Sequence, residues 1–283
     1  MIRRLLPILP TLALLAGCAA DEPSDRPAAA ASSAPSESAT PARLVDIGDR
    51  SLFLDCRGSG SPTVVLEAGL TGDLRTWEKV VPEVQKQTRV CAYDRANIGR
   101  SEPAPTPRTA ANVAQDLDAL LEAAGEKPPY VLVGFSFGGL TTQLYAATRP
   151  DHVAGMVLVE SNHPAEVEQV EAHLTPEQIA EDRQMASQNS EGIDLFTSFD
   201  QVQAEPELPS VPLVVVTAGR TDGWPPGWDA QLFDRLRAEQ QADLATRVPD
   251  SRQVFAKDSG HEVPAQQPDV VVDAINAVLG DVG

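Results

Sequence analysis

Four short runs in this chain are apolar at almost every position rather than at every second one: residues 63–67, 130–133, 153–159 and 213–217. A strand written that way is buried on both faces, and such strands pair in parallel beneath covering helices. Helical stretches separate them. Residues 109–124 place Val113, Leu117, Leu120 and Leu121 on one face and end at Gly125, where a helix C-cap belongs. The spacing of Leu74, Trp77, Val80, Val81 and Val84 predicts a helix over 74–87, and 89–93 reads as a further strand. Two short strands at 44–47 and 51–56 join through Gly48-Asp49-Arg50, and a helix-strand-helix unit fills 228–279. This alternation predicts an α/β domain over 43–283, built on a mostly parallel sheet with helices on both faces. Residues 161–209 are acidic, weakly periodic and partly helical, and read as a small helical cap inserted into that alternation.

Charge and cysteine content narrow the functional classes. Lys plus Arg total 22 against 41 Asp plus Glu, a formal net charge of −19. That excess repels phosphate backbones and anionic lipid, so no nucleic-acid partner is expected. With 3 Cys and 4 His, disulfide-dense scaffolds and zinc-finger arrays are excluded.

The first 42 residues stand apart. Residues 1–17 carry Arg3 and Arg4 before an apolar stretch, 5–15, that is broken by Pro7 and Pro10 and is too short to span a bilayer. Leu15-Ala16-Gly17-Cys18 resembles the lipobox of bacterial lipoprotein signal peptides, which implies a lipidated Cys18 and a membrane partner reached through that anchor. Without lipidation the domain is expected to be secreted. Residues 18–42, rich in Ala, Ser, Pro, Asp and Glu, cannot bury enough apolar surface to fold, and read as a disordered tether of about 25–30 Å.

Gly134-Phe135-Ser136-Phe137-Gly138 is a G-x-S-x-G sequence with an apolar strand before it and a helix after it. In that setting the central serine sits on a strained turn with its hydroxyl exposed above the sheet. Serine is a weak nucleophile near neutral pH and needs a base that is itself held by a carboxylate. His261, after the strand ending at Ala256, falls at the same sheet edge as Ser136. His152 reads as structural, and His163 and His173 fall in the cap. The acid belongs between Ser and His in chain order. Asp222, just beyond the strand 213–217, is preferred, with Glu160 after the strand 153–159 as its rival. Two backbone N–H groups are expected to face the developing oxyanion, those of Phe137 and of Leu70 in Ala68-Gly69-Leu70-Thr71-Gly72.

These residues resemble the α/β-hydrolase superfamily across nearly all of 43–283. The matching blocks are Leu66-Glu67-Ala68-Gly69-Leu70, the run from Tyr93 to Ser101 that opens Tyr93-Asp94-Arg95, the serine motif with Gly139, and Ser259-Gly260-His261 followed by Gln267-Pro268. The resemblance implies an eight-stranded sheet whose second strand is antiparallel, and a triad of Ser136, Asp222 and His261. It also implies hydrolysis of a carboxylic ester or similar acyl bond through an acyl-enzyme, with no metal and no cofactor. One block departs from the common pattern: Ala68-Gly69 stands where many members have His-Gly, so hydrogen bonds made by that histidine are lost. In the family's strand order the strands bearing Cys56 and Cys91 are neighbours, which implies a disulfide between them in an exported protein.

Trp224 and Trp228, around Pro225-Pro226-Gly227, and Phe135 beside the nucleophile are expected to wall the substrate pocket. The apolar cap residues Leu174, Ile179, Met185, Ile193, Leu195, Phe196 and Phe199 are expected to pack on the core. Such a pocket suits a small or medium uncharged acyl substrate. Two other readings stand beside the ester hydrolase: the same triad serving a peptidase, thioesterase or perhydrolase, and a catalytically silent tethered binding protein.

Overall fold

Eight strands form one sheet: β1 (Arg43–Asp46), β2 (Ser51–Arg57), β3 (Thr63–Glu67), β4 (Val90–Asp94), β5 (Tyr130–Phe135), β6 (Val153–Val159), β7 (Leu213–Ala218) and β8 (Ser251–Ala256). Their spatial order is β1-β2-β4-β3-β5-β6-β7-β8. β2 runs antiparallel to both neighbours, and every pairing from β4 to β8 is parallel. The structure, a computed structural model, describes residues 42–205 and 207–282. The expectations for residues 1–41, namely the export signal, the lipidation of Cys18 and nearly all of the tether, lie outside the described residues.

The continuous apolar runs have the burial they imply. Along β5 every side chain is buried, but alternate ones enter different cores, because successive residues of a strand point to opposite faces. Val131, Val133 and Phe135 join one cluster, whereas Tyr130 and Leu132 join the other. The first cluster takes Val84 from α1 (Val81–Val84) and Val271, Ile275 and Val278 from α9 (Pro268–Val282). The second takes Leu117, Leu120 and Leu121 from α2 (Ala110–Ala124) and Tyr145 from α3 (Phe137–Thr148). Leu244 of α7 (Ala230–Leu244) completes that second layer. α8 is a single turn, Val263–Gln266, directly after His261.

Between β6 and β7 lie the three cap helices, α4 (Glu166–Glu171), α5 (Pro176–Ala186) and α6 (Leu195–Ala204). α5 opens with a capping box between Thr175 and Gln178. The helix expected over 74–87 is in two pieces, a 3-10 turn Leu74–Trp77 and the short α1. Pro82 stands in the first turn of α1. Proline has no N–H to donate and crowds the preceding turn, so a helix begins at that point instead of running through it.

Cys56 and Cys91 are paired across β2 and β4 and joined in a disulfide with Cα atoms 4.0 Å apart. The bridge closes a separation of 35 residues, for which the chain-entropy argument gives roughly 4 kcal/mol of stabilisation. Alkylation of the unfolded, unreduced chain should leave both cysteines unmodified until a reductant is added. The double Cys→Ala variant should lose about 2–4 kcal/mol in denaturant melts.

Candidate active site

A single residue, Ser136, separates β5 from α3, with φ 54° and ψ −122°. An L-residue pays for such a conformation in steric strain, and it persists only where the surroundings fix it. Here its N–H donates to the Val159 carbonyl of β6 at 3.1 Å, and its carbonyl accepts from Gly139 N–H at 2.9 Å. Gly138 explains the spacing of the motif: a Cβ there would come within 2.3 Å of the Glu67 carbonyl oxygen and 2.4 Å of that of Ala68. The start of α3 and the end of β3 are therefore pressed together, backbone against backbone.

His261 arrives at the same edge from β8. Its Nε2 lies 3.1 Å from Ser136 Oγ, a direct hydrogen bond. Phe135 packs against the imidazole with ring centres 5.0 Å apart. The loop carrying His261 is pinned by Gln266, whose Oε1 accepts from Gly260 N–H at 2.8 Å, and by Arg220 N–H, which donates to the Ser259 carbonyl at 3.0 Å. Asp222 meets this loop through the main chain: its Oδ2 accepts from His261 N–H at 2.7 Å. The imidazole Nδ1 makes no hydrogen bond among the described residues. Glu160 is engaged elsewhere. Its carboxylate accepts from Ala218 N–H at 2.6 Å and from the Arg237 guanidinium, which places it on the end of β7. The cap histidine His163 is buried, with Nε2 2.9 Å from Asp243 Oδ2.

Leu70, Ser136 and Phe137 line one cavity of about 390 Å³. The N–H groups of Leu70 and Phe137 make no hydrogen bond among the described residues. Beneath the loop that carries Leu70 lies a buried charge cluster that the sequence did not point to. The Arg95 guanidinium reaches the Ala68 and Gly69 carbonyl oxygens, each at 2.6 Å, and Glu67 Oε1 at 2.5 Å. It also grips the cap carboxylate of Glu191 through two bonds of 2.6 and 2.8 Å. Glu191 in turn accepts from Thr71 N–H, and Tyr93 OH donates to Glu67. Burial pushes the Glu67 carboxyl up against the opposing pull of Arg95 and Tyr93. Burial also works against the Arg95 charge, but Glu191 and Glu67 more than offset it and hold the guanidinium protonated.

Trp224 and Trp228 line the same cavity, stacked with ring centres 6.2 Å apart, and Trp224 Nε1 donates to Asp234 at 2.7 Å. Phe135 is not a wall residue; it is buried at 4% exposure and buttresses the imidazole instead. The cap reading holds in part: Ile193 and Phe199 are buried in a cluster with Phe137, Leu140 and Leu144, and Leu195 packs against it. Leu195, Phe196 and Phe199 also line the cavity, whereas Met185 is 59% exposed. Three acidic residues of the cap, Glu166, Glu171 and Asp182, also line it, and burial raises the pKa of Glu166 and Asp182. A second cavity, of about 260 Å³, lies on the His261 side and is lined by Asp222, Glu160, Arg237 and Gln241 among others. Among the described residues, the His/Cys/Asp/Glu group close enough to share a metal ion is Cys56, Cys91 and Glu126, whose sulfurs are already joined to each other.

Residues 62–206 match the family model described as the alpha/beta hydrolase fold. The uncharacterised protein YqjL of Bacillus subtilis (strain 168) is 27% identical over 226 residues, 77% of this chain and 84% of that protein. An AB hydrolase superfamily protein of Gibberella zeae is 37% identical over 120 residues, 39% of this chain and 37% of its own length. The chain spans between 16% and 42% of several further relatives. Among solved structures, a thermophilic esterase from Thermogutta terrifontis superposes with a TM-score of 0.59 at 22% identity, over 85% of this chain and 98% of that one. The enol-lactonase of Burkholderia xenovorans LB400 gives 0.61 at 18%, over 84% and 100%.

The contact at Gly138 yields a direct test. Gly138→Ala should force α3 away from the end of β3, cost about 1–3 kcal/mol in a thermal or denaturant melt, and lengthen the Ser136–His261 contact in a crystal structure of the variant.

Proposed function

The chain belongs to the α/β-hydrolase family, and from that premise we propose that it is a serine hydrolase cleaving a carboxylic ester or related acyl bond through an acyl-enzyme on Ser136. The observation that carries this reading is the 3.1 Å contact between Ser136 Oγ and His261 Nε2 on a turn that exposes the hydroxyl. In the proposed reaction His261 takes the Ser136 proton as Oγ attacks the acyl carbon. It then delivers that proton to the leaving oxygen, and water enters by the reverse of the same steps. The negative charge of the tetrahedral intermediate falls to the N–H groups of Leu70 and Phe137, aided by the N-terminus of α3.

Asp222 serves as the acid of the triad in this scheme. Its bond to the His261 main chain holds the loop that carries the base, and in the proposed reaction its carboxylate is the counter-charge to the imidazolium. Glu160, tied to Arg237 and Ala218, is left to a structural task. The walls of Trp224, Trp228, Phe196 and Phe199 favour a small or medium uncharged acyl group. The esterase and lactonase that share the fold lend support to ester substrates. We also place the enzyme outside the cytoplasm, held to a membrane through a lipidated Cys18. The Cys56–Cys91 bridge supports the oxidising compartment. Palmitate labelling should mark the wild type and spare Cys18→Ser.

The decisive experiment pairs a fluorophosphonate probe with short p-nitrophenyl esters. The probe should label Ser136 in the wild type and nothing in Ser136→Ala. That variant should stay folded while hydrolysis of p-nitrophenyl butyrate drops by at least about 10³-fold. A wild type that hydrolyses thioesters or amides while leaving esters untouched would move the assignment to another acyl transfer. A wild type that the probe does not label would end the serine-hydrolase reading.

A further inference from the structure

The loop after β3 must present the Leu70 N–H toward Ser136, yet the chain lacks the histidine that often steadies this loop in the family. Arg95 and Glu191 occupy the opposite side of the same loop. In a trans peptide the carbonyl of one residue and the N–H of the next point in opposite directions. The Arg95 guanidinium holds the Gly69 carbonyl at 2.6 Å, where the Gly72 N–H also reaches it at 3.0 Å, so the Leu70 N–H is turned away from Arg95; Leu70 itself lines the cavity it shares with Ser136. The Ala68 carbonyl is fixed in the same way, and the next N–H along, that of Thr71, is taken by Glu191. Thr71 itself has φ 60°, a conformation that a free loop abandons readily.

We propose that Arg95 and the cap residue Glu191 are positioning residues for the oxyanion loop, setting the orientation of the 69–70 peptide so that the Leu70 N–H is aimed before substrate arrives. This rests on the reading of Ser136 as nucleophile. Neither residue touches substrate: Arg95 and Glu191 are 3% and 1% exposed. Glu191 lies between α5 and α6, and Asn97 Nδ2 donates to its carbonyl at 2.8 Å, so the anchor is supplied by the cap and held from the β4 side. The cap thereby becomes part of the machinery that stabilises the tetrahedral intermediate, in addition to roofing the pocket. A lysine in place of Arg95 has no fork with which to reach two carbonyls and two carboxylates at once.

The test measures Glu191→Ala, Glu191→Gln and Arg95→Lys in the full chain, each with circular dichroism as a check on folding. For p-nitrophenyl butyrate, kcat should fall by about 10-fold in Glu191→Gln and about 10²-fold in Glu191→Ala and Arg95→Lys. KM should change by less than about threefold, as expected when an interaction made only in the transition state is weakened. Hydrogen–deuterium exchange over residues 68–72 should speed up in each variant, a readout that needs no turnover. Should Glu191→Ala fail to fold, the near-isosteric Glu191→Gln carries the test. Faster exchange at 68–72 with wild-type kcat would overturn the proposal, as would lost activity with unchanged exchange. Failure of the underlying reading looks different: wild-type Ser136 would then resist the fluorophosphonate while exchange at 68–72 still responded to Glu191→Gln.

Discussion

The site depends on one residue held in a conformation it would not choose. Ser136 sits at φ 54° because β5 and α3 leave it no alternative, with its carbonyl bound into the first turn of the helix and its N–H bound to β6. The strain amounts to about 1–3 kcal/mol by the usual scale for such positions. The burial that opposes it is spread across both faces of the sheet, where the side chains of β3, β5, β6 and β7 are almost all inaccessible. Parallel strands also deliver the partners. Because β3 and β5 through β8 all run the same way, the segments after them open on a single edge, and Leu70, Ser136, Glu160, Asp222 and His261 meet there though they span nearly two hundred residues of sequence.

The buried cluster around Arg95 obeys a different economy. Taking a guanidinium and two carboxylates out of water costs several kcal/mol for each charge, and attraction recovers that only when every donor and acceptor is matched. Arg95 meets the condition with five acceptor contacts, two of them main-chain carbonyls. A hydrophobic side chain in its place would fill the space equally well but would leave the Ala68 carbonyl without this donor and the Gly69 carbonyl with only the Gly72 N–H, 3.0 Å away, to hold it. The arrangement therefore specifies an orientation more than it contributes stability.

Much of this architecture was legible in the chain itself. Continuous apolar runs gave away strands buried on both faces, and the G-x-S-x-G between a strand and a helix located the turn. Order along the chain then directed attention to His261 and Asp222. What escaped was whatever depends on contacts between distant residues of unremarkable type. Glu191 is one carboxylate among many in an acidic cap, and only the fold reveals that it faces Arg95 across 96 residues. Pro82 was a local signal that the apolar spacing of 74–87 obscured. Phe135 lies in the serine motif, but its place in β5 turns it toward the imidazole and away from the cavity. Met185 of α5 is exposed whereas Phe196 of α6 lines the cavity, and α5 has too weak an apolar stripe to reveal from sequence which way its methionine faces.

The choice between Asp222 and Glu160 turns on what else each carboxylate binds. Glu160 follows β6 directly and is buried, but Arg237 neutralises it and the Ala218 N–H fixes it, so its charge is spent on joining β6 to β7 and α7. Asp222 has no cationic partner among the described residues, and its bond to the His261 N–H ties it to the residue that acts as base in the proposed mechanism. Gly260 makes this approach feasible, since a Cβ there would lie 2.0 Å from Asp222 Oδ1. A carboxylate anchored to the main chain of the base travels with the loop that carries it. In the proposed mechanism the imidazolium exists only transiently, and a counter-charge already held on that loop needs little rearrangement when it forms.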